Sequence, residues 1–219
     1  MKIYHCLRQW ILYFIHDRNS FWIYKTLPTC PQPPQKFIDM AKTANPALFG
    51  PEPESANYES GKNPRLNRLL VKPGKKELEP SVRNPRYELG QEFDLWLKEN
   101  ILQNFDESVI SISHQGHGKS FGPHTDRWRR YVLMYIVDTG GIAAQTTFWR
   151  QKFYPAVRDN GITINDYTNL RKIDSAILQQ GQWVVVQSRI LHSVENIDTV
   201  RIAFQISVDD LSELERFHS

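Results

Sequence analysis

The chain has 219 residues, of which 40% are hydrophobic and 23% charged, and its formal net charge at pH 7 is +3. That length fits one domain, or a domain with a small extension, and can bury a substantial core. The charge is too slight to indicate a nucleic-acid or membrane partner, and there is no internal repeat or low-complexity tract.

At the N-terminus, Ile11 to Ile15 is apolar but His16-Asp17-Arg18 interrupts it at once. The run is too short for a signal-peptide core, and no window holds the roughly 18 apolar residues of a membrane span. An aromatic-rich strand or helix packing on the core is expected there. The two cysteines, Cys6 and Cys30, could pair but make no disulfide framework, so a reduced, cytoplasmic setting is expected.

Residues 28 to 85 are punctuated by Pro31-Gln32-Pro33-Pro34, Gly50-Pro51-Glu52-Pro53 and Lys72-Pro73-Gly74-Lys75-Lys76. Such breakers leave room for one short helix, Pro34 to Lys42, among loops and short strands. Residues 1–85 therefore read as an N-terminal extension packing on a core at 86–219. Lys75-Lys76 and Arg83-Arg86 read as a solvated face.

Residues 88 to 104 carry Leu89, Phe93, Trp96, Leu97, Ile101 and Leu102 near helical spacing, which predicts a helix packed on a sheet. From Ser108 the period becomes strand-like. Strands are predicted at Val109–Ser113, Tyr131–Val137, Thr146–Trp149, Trp183–Gln187 and Val200–Val208, with turns at Asp138-Thr139-Gly140-Gly141 and Gln180-Gly181-Gln182. Residues 152 to 178 suggest turns or short hairpins. Short strands without βαβ alternation predict a mainly β fold with flanking helices, a double-stranded β-helix or jelly roll.

Two stretches carry chemistry. One is Pro123-His124-Thr125-Asp126; the other is Leu191-His192-Ser193-Val194. Residues i and i+2 of a strand share a face, so His124 and Asp126 can meet one cation, while His192 comes from another strand. Two imidazoles and one carboxylate are the ligand set of a mononuclear Fe(II) site with open positions for other ligands. Arg201, nine residues after His192, lies among Val200, Ile202, Ala203 and Phe204. A guanidinium buried there calls for an anion, and a bidentate carboxylate answers it.

Taken together, residues 88 to 209 resemble the Fe(II)/2-oxoglutarate-dependent oxygenase superfamily, in particular its prolyl-4-hydroxylase-like branch. The resemblance rests on Gly122-Pro123-His124-Thr125-Asp126, on Gly140-Gly141 followed by Gln145-Thr146-Thr147-Phe148, and on Gly181 to Val186, His192-Ser193-Val194 and Arg201. It implies that His124, Asp126 and His192 bind iron. Arg201 would bind the distal carboxylate of 2-oxoglutarate with Thr146 as helper, and Gln115 and Tyr135 would lie on the cosubstrate side. Gln115 stands where many relatives have Tyr, Gln145 replaces a Glu, and Arg201 stands where the hydroxylase branch often has Lys.

The implied cofactors are Fe(II), 2-oxoglutarate and dioxygen, with ascorbate as reductant. The implied reaction is hydroxylation of an unactivated C–H bond in a small-molecule or peptidyl substrate. Halide-transferring relatives have a small residue in place of Asp126, which favours hydroxylation here. Two rivals remain: a keto-acid-independent cupin-like metalloenzyme, whose denser His-x-His pattern is missing, and a non-catalytic jelly-roll module. His114 and His117 read as ordinary strand or loop residues, and Arg127, Arg129 and Arg130 as solvated charges at the mouth of the site. Trp149 and Trp183 read as sheet or core packing.

Overall fold

The structure is a computed structural model that describes residues 23–43, 86–114, 123–126, 129–152, 164 and 167–218. Its elements, in chain order, are β1 (Tyr24–Thr26), α1 (Gln35–Thr43), β2 (Arg86–Glu88), α2 (Gln91–Asn100), β3 (Glu107–His114), β4 (Tyr131–Thr139) and β5 (Gln145–Gln151). A 3-10 turn at Tyr167–Asn169 leads into β6 (Leu170–Ala176), β7 (Trp183–Gln187), β8 (Leu191–Glu195) and β9 (Val200–Val208), and a second 3-10 turn at Ser212–Phe217 follows.

Two antiparallel sheets result: six strands in the order β1-β7-β4-β9-β3-β2 and three in the order β6-β5-β8. Strands adjacent in space are mostly distant in sequence, which is the crossing pattern of a jelly roll. The expected fold class is therefore what the chain adopts.

Strands β4 and β7 of the larger sheet are buried on both faces, which explains why they read as continuous apolar runs. On β4, Leu133, Tyr135 and Val137 enter a core that also holds Phe37 of α1 and Phe93 and Leu97 of α2. The alternate residues Val132, Met134 and Ile136 enter a second cluster with Phe148 of the smaller sheet. Strand periodicity sends successive side chains to opposite faces, so one strand serves both cores. β7 does the same, with Trp183 and Val185 on the helix side and Val184 and Val186 on the other.

The helix-side core is aromatic. Phe93 meets Phe37 at a ring-centroid distance of 5.0 Å and Phe204 at 5.1 Å. Trp183 donates its indole N–H to the Pro31 carbonyl at 2.8 Å, which ties the segment before α1 to the sheet. That segment begins with β1, the edge strand that pairs with β7. Residues 24–43 thus supply an edge strand of the larger sheet and a helix packed against it.

The helix predicted at Pro34 to Lys42 forms one residue later, and the helix predicted across 88 to 104 is confined to α2, with Ile101 and Leu102 buried just beyond its end. The five predicted strands all form. Three strands, β1, β2 and β6, were not foreseen. β6 carries Arg171, Lys172 and Asp174 and forms the edge of the smaller sheet, where charged side chains suit the solvent and hide the strand period. β8 is the other strand from which His192 was expected to come, and it begins at Leu191. Cys30 is a buried free thiol, and burial pushes it up to about 12, against the opposing charge of Arg216.

Phe204 is fully buried where Phe93 and Tyr135 converge. Phe204→Ala is expected to lower unfolding free energy by about 3–5 kcal/mol. Ile142→Ser, at a turn residue that is 94% exposed, is expected to change it by about 0.5 kcal/mol or less. Urea denaturation of the two variants checks this.

Candidate metal centre

The smaller sheet is extended beside β8 by a single antiparallel bridge between His124 and His192. The His124 N–H donates to the His192 carbonyl at 3.0 Å, and the His192 N–H returns to the His124 carbonyl at 2.9 Å. The two imidazoles project from this pair to the same side, with ring centroids 4.6 Å apart. Two residues on, the Asp126 N–H donates to the Ser188 carbonyl at 3.0 Å, which keeps the strand-like path that turns Asp126 the same way as His124. Ligand atoms of His124, Asp126 and His192 then lie within 4.8 Å of one another.

The chemistry of this set fits a cation. His192 Nδ1 is 2.8 Å from the Ile190 carbonyl, which can only accept. Nδ1 therefore carries the proton and Nε2 keeps its lone pair for a metal, the usual way a second partner fixes a ligating imidazole. For Asp126, burial would raise the carboxyl pKa, but the Arg129 charge, then the nearby His192 and His124 imidazoles, outweigh it. With a hydrogen bond from Arg129 added, the carboxyl is held well below the ordinary carboxylate range and is ionised at neutral pH.

Arg201 lines the same cavity, which encloses about 100 Å³. The residue is 5% exposed, and burial draws its guanidinium down to about 10, so it remains charged at neutral pH. Its Nη2 donates to Thr146 Oγ1 at 3.3 Å, and no carboxylate among the described residues pairs with it. A buried cation in that condition is costly unless an anion joins it. The β4–β5 turn packs directly behind it: a Cβ on Gly140, which has φ +79°, would lie 2.9 Å from Arg201 Cβ. The Gly-Gly pair read as a turn thus also allows this close approach.

Four expected residues, His124, Asp126, His192 and Arg201, line this one cavity together with Thr146. Tyr135 requires correction: it does not reach the cavity. Strand alternation turns it to the helix-side core, where it stacks on Phe204 at 5.7 Å, lies 5.1 Å from Trp183 and donates its hydroxyl to Gln32 at 2.7 Å. Its neighbour Met134 is the cavity residue. Gln115, His117 and Arg127, and the side chain of His114, lie outside the described residues.

Arg129 also departs from expectation. It is a buried residue, 8% exposed, whose Nε donates to Asp126 Oδ2 at 2.8 Å. Nothing in the run Arg127-Trp128-Arg129-Arg130 distinguishes it from its neighbours; only the folded backbone does. Ser111 and Ser113 complete one cavity wall, and their alternation with Ile110 and Ile112 is a signal the sequence did contain. Trp183 is core, while Trp149 packs on the smaller sheet, donating to Ser193 Oγ at 2.9 Å.

No protein-family model matches the chain, and no curated protein matches it. Among solved structures, the chain is similar to Escherichia coli ycfD, with 17% identity, a TM-score of 0.31 and coverage of 50% of this chain. The matched stretch spans only 27% of ycfD. It is also similar to AviO1 from Streptomyces viridochromogenes Tue57, with 11% identity, a TM-score of 0.42 and coverage of 87% of this chain and 91% of AviO1. At such identities and scores neither likeness bears on what the chain does.

Because the native carboxyl of Asp126 lies below its unfolded value of about 4, its contribution to stability is full above that pH. It is lost as pH falls further, toward the native value. In metal-free protein, urea midpoints should therefore fall below about pH 4, and Asp126→Asn should flatten that part of the profile.

Proposed function

We propose that the protein is an Fe(II)- and 2-oxoglutarate-dependent dioxygenase that hydroxylates an unactivated C–H bond of a small-molecule or peptidyl substrate. The observation that carries this reading is a charged, buried Arg201 without a carboxylate partner among the described residues, lining the same cavity as a His, Asp and His ligand set. A ligand set alone fits many metalloenzymes. A guanidinium beside it asks for a dianion that can reach both, and a keto dicarboxylate has that form.

In this reading His124, Asp126 and His192 hold the iron and leave open positions for exogenous ligands. Bound together, ferrous iron, 2-oxoglutarate and dioxygen supply a C–H-hydroxylating oxidation coupled to conversion of the keto acid to succinate and carbon dioxide. The chain's own residues bind and orient. Arg201 and Thr146 receive the distal carboxylate, and Gly140 lets the turn close behind the guanidinium. Val132, Met134 and Val186 form the apolar wall that keeps the cosubstrate out of bulk water. His192 Nδ1 keeps its proton and donates it to the Ile190 carbonyl, which leaves Nε2 free to ligate.

The cavity argues against the keto-acid-independent alternative, which has no use for a buried guanidinium. Ascorbate in the assay would keep the iron ferrous.

Protein loaded anaerobically with Fe(II) and then given dioxygen and 2-oxoglutarate should release succinate. Asp126→Ala should abolish that release. Arg201→Ala should raise the half-saturating 2-oxoglutarate concentration about tenfold or more, as expected for loss of a charge-assisted hydrogen bond of about 1.5–3 kcal/mol. Succinate release that is indifferent to Arg201→Ala would overturn the cosubstrate assignment.

A further inference from the structure

The cavity holds a second buried guanidinium that the proposed reaction does not use, that of Arg129. Two of its nitrogens are engaged as donors. Nε donates to Asp126 Oδ2 at 2.8 Å, and Nη1 donates to Gln205 Oε1 at 3.0 Å. Gln205 lies on β9 four residues beyond Arg201 and lines the same cavity. The main chain is held as well: the Ser188 hydroxyl donates to the Arg129 carbonyl at 2.7 Å, and the Ser188 carbonyl accepts the Asp126 N–H at 3.0 Å. Arg129 is thus a short bracket between a strand of the larger sheet and the carboxylate of the candidate metal centre.

A carboxylate can ligate a cation through one oxygen or through both, and its terminal torsion is soft. Ligation through both oxygens takes up one more position around the metal. A planar guanidinium held at its far end by a rigid strand restricts the torsion and competes for one oxygen. We propose that Arg129 is a positioning residue of the metal centre: backed by Gln205, it occupies Oδ2 of Asp126 and so holds that carboxylate to ligation through its other oxygen. The inference rests on the reading of His124, Asp126 and His192 as metal ligands. It also gives β9 two tasks, since Arg201 on that strand faces the cosubstrate while Gln205 steadies the ligand.

Co(II) is the probe, because its visible absorption reports coordination number and its binding can be titrated without turnover. Wild type, Arg129→Gln, Arg129→Lys, Gln205→Leu and Asp126→Ala would be compared, with thermal unfolding of each metal-free protein alongside. Arg129→Gln is expected to weaken Co(II) binding about tenfold, within the range typical of partners that orient a ligand, and to change the absorption spectrum. Arg129→Lys, which can reach Asp126 or Gln205 but not both, should fall between. Gln205→Leu keeps the guanidinium and should shift affinity and spectrum in the same direction by less. If Arg129→Gln does not fold, Gln205→Leu decides alone.

A purely structural role would lower the unfolding temperature and leave Co(II) affinity and spectrum as in wild type; that result overturns the proposal while the metal centre stands. Wild type that fails to bind Co(II), or Asp126→Ala that binds it equally well, would remove the metal-centre reading and this inference with it.

Discussion

Two backbone hydrogen bonds between His124 and His192 hold the candidate site together. They join stretches 68 residues apart in number into one antiparallel pair, so that two imidazoles project side by side rather than from independent loops. Everything else at the site is referenced to that pair. Asp126 follows on the same face, and β8 continues into Val194, which lines the cavity beside Thr146 of β5. A ligand constellation built on paired strands keeps its geometry because shifting one member would break the sheet ladder.

The second organising element is charge. The cavity contains Asp126 with Arg129 against it, and Arg201 without a carboxylate among the described residues. Buried charges are costly unless paired, so each of these groups needs an account. Arg129 and Asp126 satisfy one another across 2.8 Å, with Gln205 taking a further donor. Among the described residues Arg201 is served by a single hydroxyl, and that shortfall is what the proposed anionic ligand would meet. The two arginines differ in kind: one completes the protein's own ionic pair, and the other has no carboxylate partner among the described residues.

The fold supplies the rigidity these charges require. The larger sheet sits between a helix-covered aromatic core and the cavity, and every central strand contributes to both sides. On β9 the alternation is sharpest: Ile202, Phe204 and Ile206 fill the helix-side core, while Arg201, Ala203 and Gln205 line the cavity. Burying the apolar half of that strand fixes the polar half, since a slip of one residue would exchange the faces.

Much of this was legible in the order of residues. Apolar β-branched runs marked the central strands, because a strand buried on both faces has no polar positions to interrupt it. The His-x-Asp pair stood out by its ligand spacing, and the arginine set in an apolar strand because a polar group in apolar company must have a partner. Local patterning could not assign faces within a fully apolar strand, so Tyr135 was placed on the cosubstrate side, whereas the helix-side core takes Tyr135 and the cavity takes Met134. Nor could it separate Arg129 from Arg127 and Arg130, or link it to Gln205, 76 residues later, because that contact exists only where distant segments meet. Composition and period determined which elements form and which side chains demand partners. The tertiary structure alone decided which partners they get, since pairing between remote strands is set by how the two sheets close on one another and not by any neighbouring residue.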